Sequence, residues 1–252
     1  MEYLVLGPAG MGIFAILGSI VKYKDDIENV KEISGSSAGA VLALALALEL
    51  PLNDILDRLL SVDFENFTKY KIKNFITEFG FVNTIIIRKL LLNAFGRDPT
   101  FSELKRKVII SAYCLNRATT EYFSVDNHPD MKVIDAVCMS VAIPMVFAPV
   151  KFNGMLYVDG GTKERYPITP FLEKKPDKIM CIQVENEEIY TENIGNIKEY
   201  VFALTMSSAR LPDTNTIALG KMVTLVIKRE DVFNFKMNHE NKLRMYMKGS
   251  VS

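Results

Sequence analysis

A short extended run, VKEIS (residues 30–34), meets a small-residue turn, GSSAG (35–39), that feeds straight into an alanine- and leucine-rich helical pattern over residues 38–49. This junction constrains the chain more than any other feature. A strand that passes within a few residues into a helix belongs to a parallel sheet with helices packed on it. The same arrangement occurs once before: EYLVL (2–6) reads as a buried strand, GPAGMG (7–12) breaks it, and IFAILGSIVKY continues as a helix. Pro51 follows the end of the second helix, and PLNDILDRLLSV begins another.

Further along, KVIISAYCL (107–115), EYFSV (121–125) and KIMCIQVE (178–185) read as strands, and 132–142 as a helix. KFNGMLYVDGG (151–161) reads as a hairpin turning at Asn153-Gly154, the dipeptide that fits a two-residue type I′ turn. Residues 197–209 and 214–229 lean helical. No internal repeat, low-complexity run or Pro/Gly/Ser-rich linker interrupts the chain, so residues 1–252 are expected to form one α/β domain.

Lys plus Arg and Asp plus Glu both number 30. That balance offers nothing for general attraction to nucleic acid or to anionic membranes. Cys114, Cys138 and Cys181 are an odd number without CxxC spacing, each inside an apolar run, and are expected to be buried free thiols in a reducing compartment, not a metal site. Glu2 and the early Gly/Pro make the N-terminus a poor signal peptide. No run of 18 uncharged apolar residues escapes a turn residue, so no transmembrane helix is expected, and AGAVLALALALEL better suits a buried core helix.

The turn GSSAG fits G-x-S-x-G in one register, which centres Ser37 and makes Ser34 and Ser36 the weaker nucleophile candidates. A serine between strand and helix sits on a sharp turn, Gly35 and Gly39 admit close approach, and the helix N-terminus favours developing negative charge. The plain alternative is a helix N-cap. A serine nucleophile needs a base. His128 lies in a turn by composition and His239 in a polar segment, and both suit solvated surface positions. A Ser37–Asp159–His239 triad has the order of the α/β-hydrolases, but those place several strands before the nucleophile and here only one fits. Asp159, at a strand end before Gly160-Gly161, can instead act directly on the serine, although Asp-Gly-Gly is also an ordinary turn.

Taken together these segments resemble the patatin-like phospholipases. The order GPAGMG (7–12), GSSAG (35–39) and DGG (159–161) is similar to that family's oxyanion loop, nucleophile turn and aspartate turn, and Ser140–Pro149 resembles its S-x-A-x-P-x-x-F-x-P segment. The resemblance spans about residues 2–185. It implies a patatin-like fold with a central, mostly parallel sheet between helices, and a Ser37–Asp159 dyad that needs no metal or cofactor. Gly7 and Gly12 match the glycine-rich loop. Pro8 replaces a glycine and has no N–H, so Ala9 and Gly10, with Ala38, are the implied oxyanion donors. Met11 replaces a basic residue, and Arg165 stands where the family often has asparagine. GPAGMG also misses the G-K-[ST] ending of a phosphate loop.

The implied activity is hydrolysis of fatty acyl esters of phospholipids or lysophospholipids through an acyl-enzyme, by a cytoplasmic protein in peripheral membrane contact. The alternative is an acyl-chain-binding protein with weak or no turnover. Residues 64–97 carry six Lys/Arg against two acids among many aromatics. They suit either a membrane-interfacial segment containing Lys69, Lys71 and Lys73 or helices with a solvated basic face.

Overall fold

Short apolar runs bounded by turn residues become strands, and here most of them pair parallel. The structure, a computed structural model, describes residues 1–68, 72–187, 194–195, 200, 203 and 220–251. The strands are β1 (Tyr3–Leu6), β2 (Glu32–Ser36), β3 (Gly80–Val82), β4 (Lys107–Cys114), β5 (Thr119–Phe123), β6 (Met145–Phe147), β7 (Val150–Phe152), β8 (Met155–Asp159), β9 (Ile179–Asn186) and β10 (Lys221–Ile227). The main sheet runs β10-β9-β1-β2-β4-β8-β7, with β5 also on β4. The pairs from β10 to β4 are parallel, whereas β4–β5, β4–β8 and β7–β8 are antiparallel. A small parallel ladder joins β3 to β6.

The helices are α1 (Ile13–Lys22), α2 (Lys24–Ile27), α3 (Ala38–Ala47), α4 (Leu52–Ser61), α5 (Ile72–Glu78), α6 (Ile85–Phe95), α7 (Val133–Ser140), α8 (Arg229–Val232) and α9 (His239–Val251). Helix α3 is apolar all round, and such a helix must be buried; of its ten residues only Val41 is not. Its chain reverses at Glu49, in the left-handed region at φ 55°, just before Pro51. Helices α1, α3, α7 and α9 cover one face of the sheet with one continuous core. A smaller cluster on the other face, with Val5, Ile109 and Cys181 from strands, is closed by Tyr166, Ile168 and Phe171. All three cysteines are buried and free.

Two sequence expectations need correction or limits. The helical lean over 214–229 is wrong where the structure describes it: Lys221–Ile227 is strand β10, paired parallel with β9. Val223, Leu225 and Ile227 are buried while Thr224 and Val226 are exposed, a period of two that belongs to a strand. The other lean, 197–209, lies outside the described residues apart from Tyr200 and Ala203. The hairpin turn is as expected, with φ 47° at Asn153 and 78° at Gly154. Within 64–97, Lys69 and Lys71 lie outside the described residues. Phe67 and Phe95 are core, Phe75 stacks on Phe81 at 4.6 Å, and Ile76 and Phe79 are exposed.

Candidate active site

The turn at Ser37 is held by contacts that only glycine permits on either side. A Cβ on Gly39 would stand 2.2 Å from the Leu6 carbonyl oxygen, and one on Gly35 would stand 2.7 Å from that of Gly39. The bare backbones let α3 start directly against the ends of β1 and β2. Ser37 itself has φ 53° and ψ −123°. A side-chain-bearing residue there stores about 1–3 kcal/mol of strain, which surrounding contacts must offset. Its carbonyl accepts from the Ala40 N–H at 2.9 Å, and its own N–H donates to Ser140 Oγ at 2.8 Å. The Ser37 hydroxyl makes no helix-capping hydrogen bond. The N-cap alternative therefore describes the position but not the side chain. Ser34 donates its hydroxyl to the Pro167 carbonyl, and Ser36 is fully buried in β2.

Strand register brings Asp159 to this serine. Ser111 of β4 pairs with Ser36 on one edge and Tyr122 on the other; Ala112 pairs with Asp159 and Glu121. Strands β2 and β8 thus lie end to end along one edge of β4, and the last residue of β8 follows directly on the last of β2. Gly160 is pressed against this junction: a Cβ there would stand 2.4 Å from the Ser111 carbonyl oxygen and 2.7 Å from Ser36 Oγ. The Asp159 N–H donates to the Ala142 carbonyl at 2.8 Å. The segment Ser140–Ala142 therefore holds the backbones of Ser37 and Asp159 at once. The sequence displayed that segment as S-x-A-x-P, but its hold on Ser37 depends on a contact 103 residues away along the chain.

The Asp159 carboxylate is buried. Its Oδ1 accepts from the Gly161 N–H at 2.8 Å, and Oδ2 has no hydrogen-bond partner. Burial pushes its pKa from an ordinary 3.8 up to about 7, with the nearby Ser37 hydroxyl and the Gly161 N–H pulling the other way. The Ser37 side chain is thus close enough to act on the carboxyl, yet stands outside hydrogen-bond geometry. Catalytic hydrogen bonds in ligand-free sites are often long and tighten around substrate.

The glycine-rich loop closes a third side. Gly10 has φ 54°, a conformation open to glycine, and a Cβ there would meet the Val232 carbonyl at 2.2 Å. Pro8 packs on Gly161, where a Cβ would stand 2.9 Å from its ring. Gly10, Ser37 and Ala38 border one cavity of about 120 Å³; Ala9 is buried beside them but does not line it. From Ser37 the cavity follows Val41, Leu42 and Ala45 along α3, between α4 and α6. Eight residues of helix span about 12 Å. Among the described residues, Arg58 is the one polar side chain on its wall apart from Ser37, and it donates to the Ala94 carbonyl at the end of α6. Neither histidine lines it: His239 is exposed, and His128 lies half-buried between Phe123 and Phe152.

A serine on a strained strand–helix turn, opening into a long apolar cavity, places the protein among the α/β lipid hydrolases. More narrowly, the chain belongs to the patatin-like phospholipase family, whose model matches residues 4–172. It is 28% identical over 268 residues to the uncharacterized protein R571 of Acanthamoeba polyphaga mimivirus, covering 98% of this chain and 90% of that one. It is 26% identical to a probable lipid hydrolase, 463L, of Invertebrate iridescent virus 6, a match spanning 66% of this chain and 61% of that protein. VipD from Legionella pneumophila shares the fold, with a TM-score of 0.61 over 99% of this chain and 65% of VipD at 15% identity. Among the described residues no helix is long and apolar enough to cross a membrane.

Proposed function

We propose that this protein hydrolyses fatty acyl esters of phospholipids or lysophospholipids, with Ser37 as nucleophile and Asp159 as its base. One observation carries the reading: the strained Ser37 lines an apolar cavity beside a buried carboxyl with a free Oδ2 and a pKa of about 7. A base with a pKa near the working pH combines a useful ionised fraction with a strong drive for proton transfer. The acyl chain lies along α3 and presents its carbonyl carbon to Ser37 Oγ. Asp159 Oδ2 takes the hydroxyl proton as Oγ attacks. The oxyanion is met by the amides of Ala9 and Gly10, with Ala38 at the helix N-terminus. Collapse returns the proton to the departing alkoxide. Asp159 then deprotonates a water that attacks the acyl-enzyme and releases the fatty acid.

Pro8 favours a second reading, a lipid-binding protein with little turnover, because it removes one N–H from the loop; losing one oxyanion donor costs roughly 10²–10³ in kcat. A monomeric lysophospholipid assay with an active-site fluorophosphonate label separates the two. Fatty acid release and labelling that both vanish in Ser37→Ala, and persist in Ser36→Ala, support the hydrolase. Lipid binding with neither release nor labelling supports the second reading.

A further inference from the structure

The acyl cavity occupies the helix-covered face of the sheet. On the other face, at the same carboxyl ends of the strands, lies a polar cluster that the hydrolytic machinery leaves unused. Gln183 and Glu185 alternate on β9, so their side chains share one face, and Thr224 on β10 is the registered partner of Gln183. Gln183 is 5% exposed. Its Nε2 donates to Thr224 Oγ1 at 2.8 Å and to Glu185 Oε1 at 3.4 Å. A carboxylate only accepts, which fixes the amide orientation and leaves Gln183 Oε1 as the buried oxygen without a partner. A buried acceptor left unmade is costly to the fold, and it points to a donor that arrives from outside.

Arg165 leans over the cluster. Its guanidinium is 3.8 Å from Glu185 Oε1, beyond a direct hydrogen bond, and 5.6 Å from the Tyr166 ring centre. The cluster is joined to the reaction centre through Gly7. A Cβ on Gly7 would lie 3.5 Å from the Arg165 carbonyl oxygen and 3.6 Å from Gln183 Cβ, and Gly39, two residues after Ser37, abuts the Gly7 carbonyl. In open parallel sheets ligands bind at these carboxyl ends.

We infer that Arg165, Gln183 and Glu185 form the headgroup subsite of the enzyme and select a lipid whose phosphodiester carries a primary amine, such as an ethanolamine phospholipid. The inference rests on the proposed hydrolase reading and deepens it. Arg165 offers its planar fork to the phosphate. The ammonium of the same headgroup donates to Gln183 Oε1 and to Glu185. A quaternary ammonium has no N–H to donate, so a choline headgroup leaves Gln183 Oε1 unmade. Two of the departures from the family pattern, Pro8 and Arg165, then belong to one feature. Pro8 packs on Gly161 of the aspartate turn, and the same turn four residues on presents the cation.

The test compares lysophosphatidylethanolamine, lysophosphatidylcholine and monoacylglycerol with one acyl chain, each kcat/KM divided by that of monoacylglycerol in the same preparation. The expected ethanolamine-to-choline ratio is about tenfold or more, the scale of one charge-assisted hydrogen bond. Glu185→Gln should bring it towards one, and Arg165→Gln should lower both phospholipids about tenfold against monoacylglycerol. A wild-type ratio near one, or ratios unmoved in both folded variants, overturns the subsite. A second measurement is independent of turnover: calorimetric affinities of the wild-type protein for ether-linked, non-hydrolysable lysophosphatidylethanolamine and its choline analogue. If no ester is cleaved but the ethanolamine ether binds about tenfold tighter, the hydrolase reading fails and the subsite stands. Equal binding removes the subsite whatever the enzyme cleaves.

Discussion

Replacing Asp159 by Asn should stabilise the protein and abolish its turnover, and the gain in stability should depend on pH. The Asp159 pKa rises from 3.8 to about 7 on folding, mainly through burial. Between those values the folded state holds a proton that the unfolded state has lost, so stability falls as pH rises through the window. At about 1.36 kcal/mol per pKa unit, the three-unit rise makes the buried charge cost up to about 4 kcal/mol at pH 8 and about 1.5 kcal/mol at pH 5. Asn imitates the neutral acid in size and can keep the oxygen that accepts from Gly161 N–H. Chemical denaturation of wild type and Asp159→Asn at both pH values measures the difference. In thermal melts the gain at pH 8 corresponds to about 8 °C, at about 2 °C per kcal/mol for a chain of this size. Turnover should fall roughly 10²-fold or more, the contribution of a general base. Wild-type kcat/KM should climb with pH and level off above about 7. A stability difference of the same size at pH 5 and pH 8, or a variant less stable than wild type at pH 8, would refute the account of a desolvated carboxylate.

Ser140→Ala leaves the Ser37 N–H without its acceptor; stability should drop by about 1–3 kcal/mol, and kcat and fluorophosphonate labelling should slow while KM holds, whereas a purely structural role would leave the labelling rate of the folded variant intact. Ala45→Phe should block the cavity about 12 Å from Ser37, so esters of long acyl chains lose activity relative to short ones; an unchanged chain-length profile would place the acyl chain elsewhere. His128→Gln and His239→Gln should keep wild-type kcat, since neither residue lines the cavity; a loss of roughly 10²-fold in either folded variant would reinstate a histidine base.

The amino-acid sequence by itself determined what is local. Strand-to-helix junctions at 6–13 and 34–38, the Asn153-Gly154 turn and the buried apolar helix after Ser37 follow from residue type and spacing within a few positions, because turn chemistry and helix propensity act over that range. The turn at Ser37 was legible for the same reason, since Gly35 and Gly39 each stand two positions from it in the chain. Strand β10 was misread because its partner β9 is more than 30 residues away, and only that pairing reveals which side chains are inside. Tertiary structure alone decided the rest. The end-to-end placement of β2 and β8 along β4 put Asp159 at the serine, and burial there, not the Asp-Gly-Gly motif, raised its pKa. The apolar cavity draws its walls from α3, α4, α6 and loops far apart in sequence, and Arg165, Gln183 and Glu185 meet only because β9 lies beside β1. Distances between such groups are fixed by how the layers pack, and no local pattern of residues encodes them.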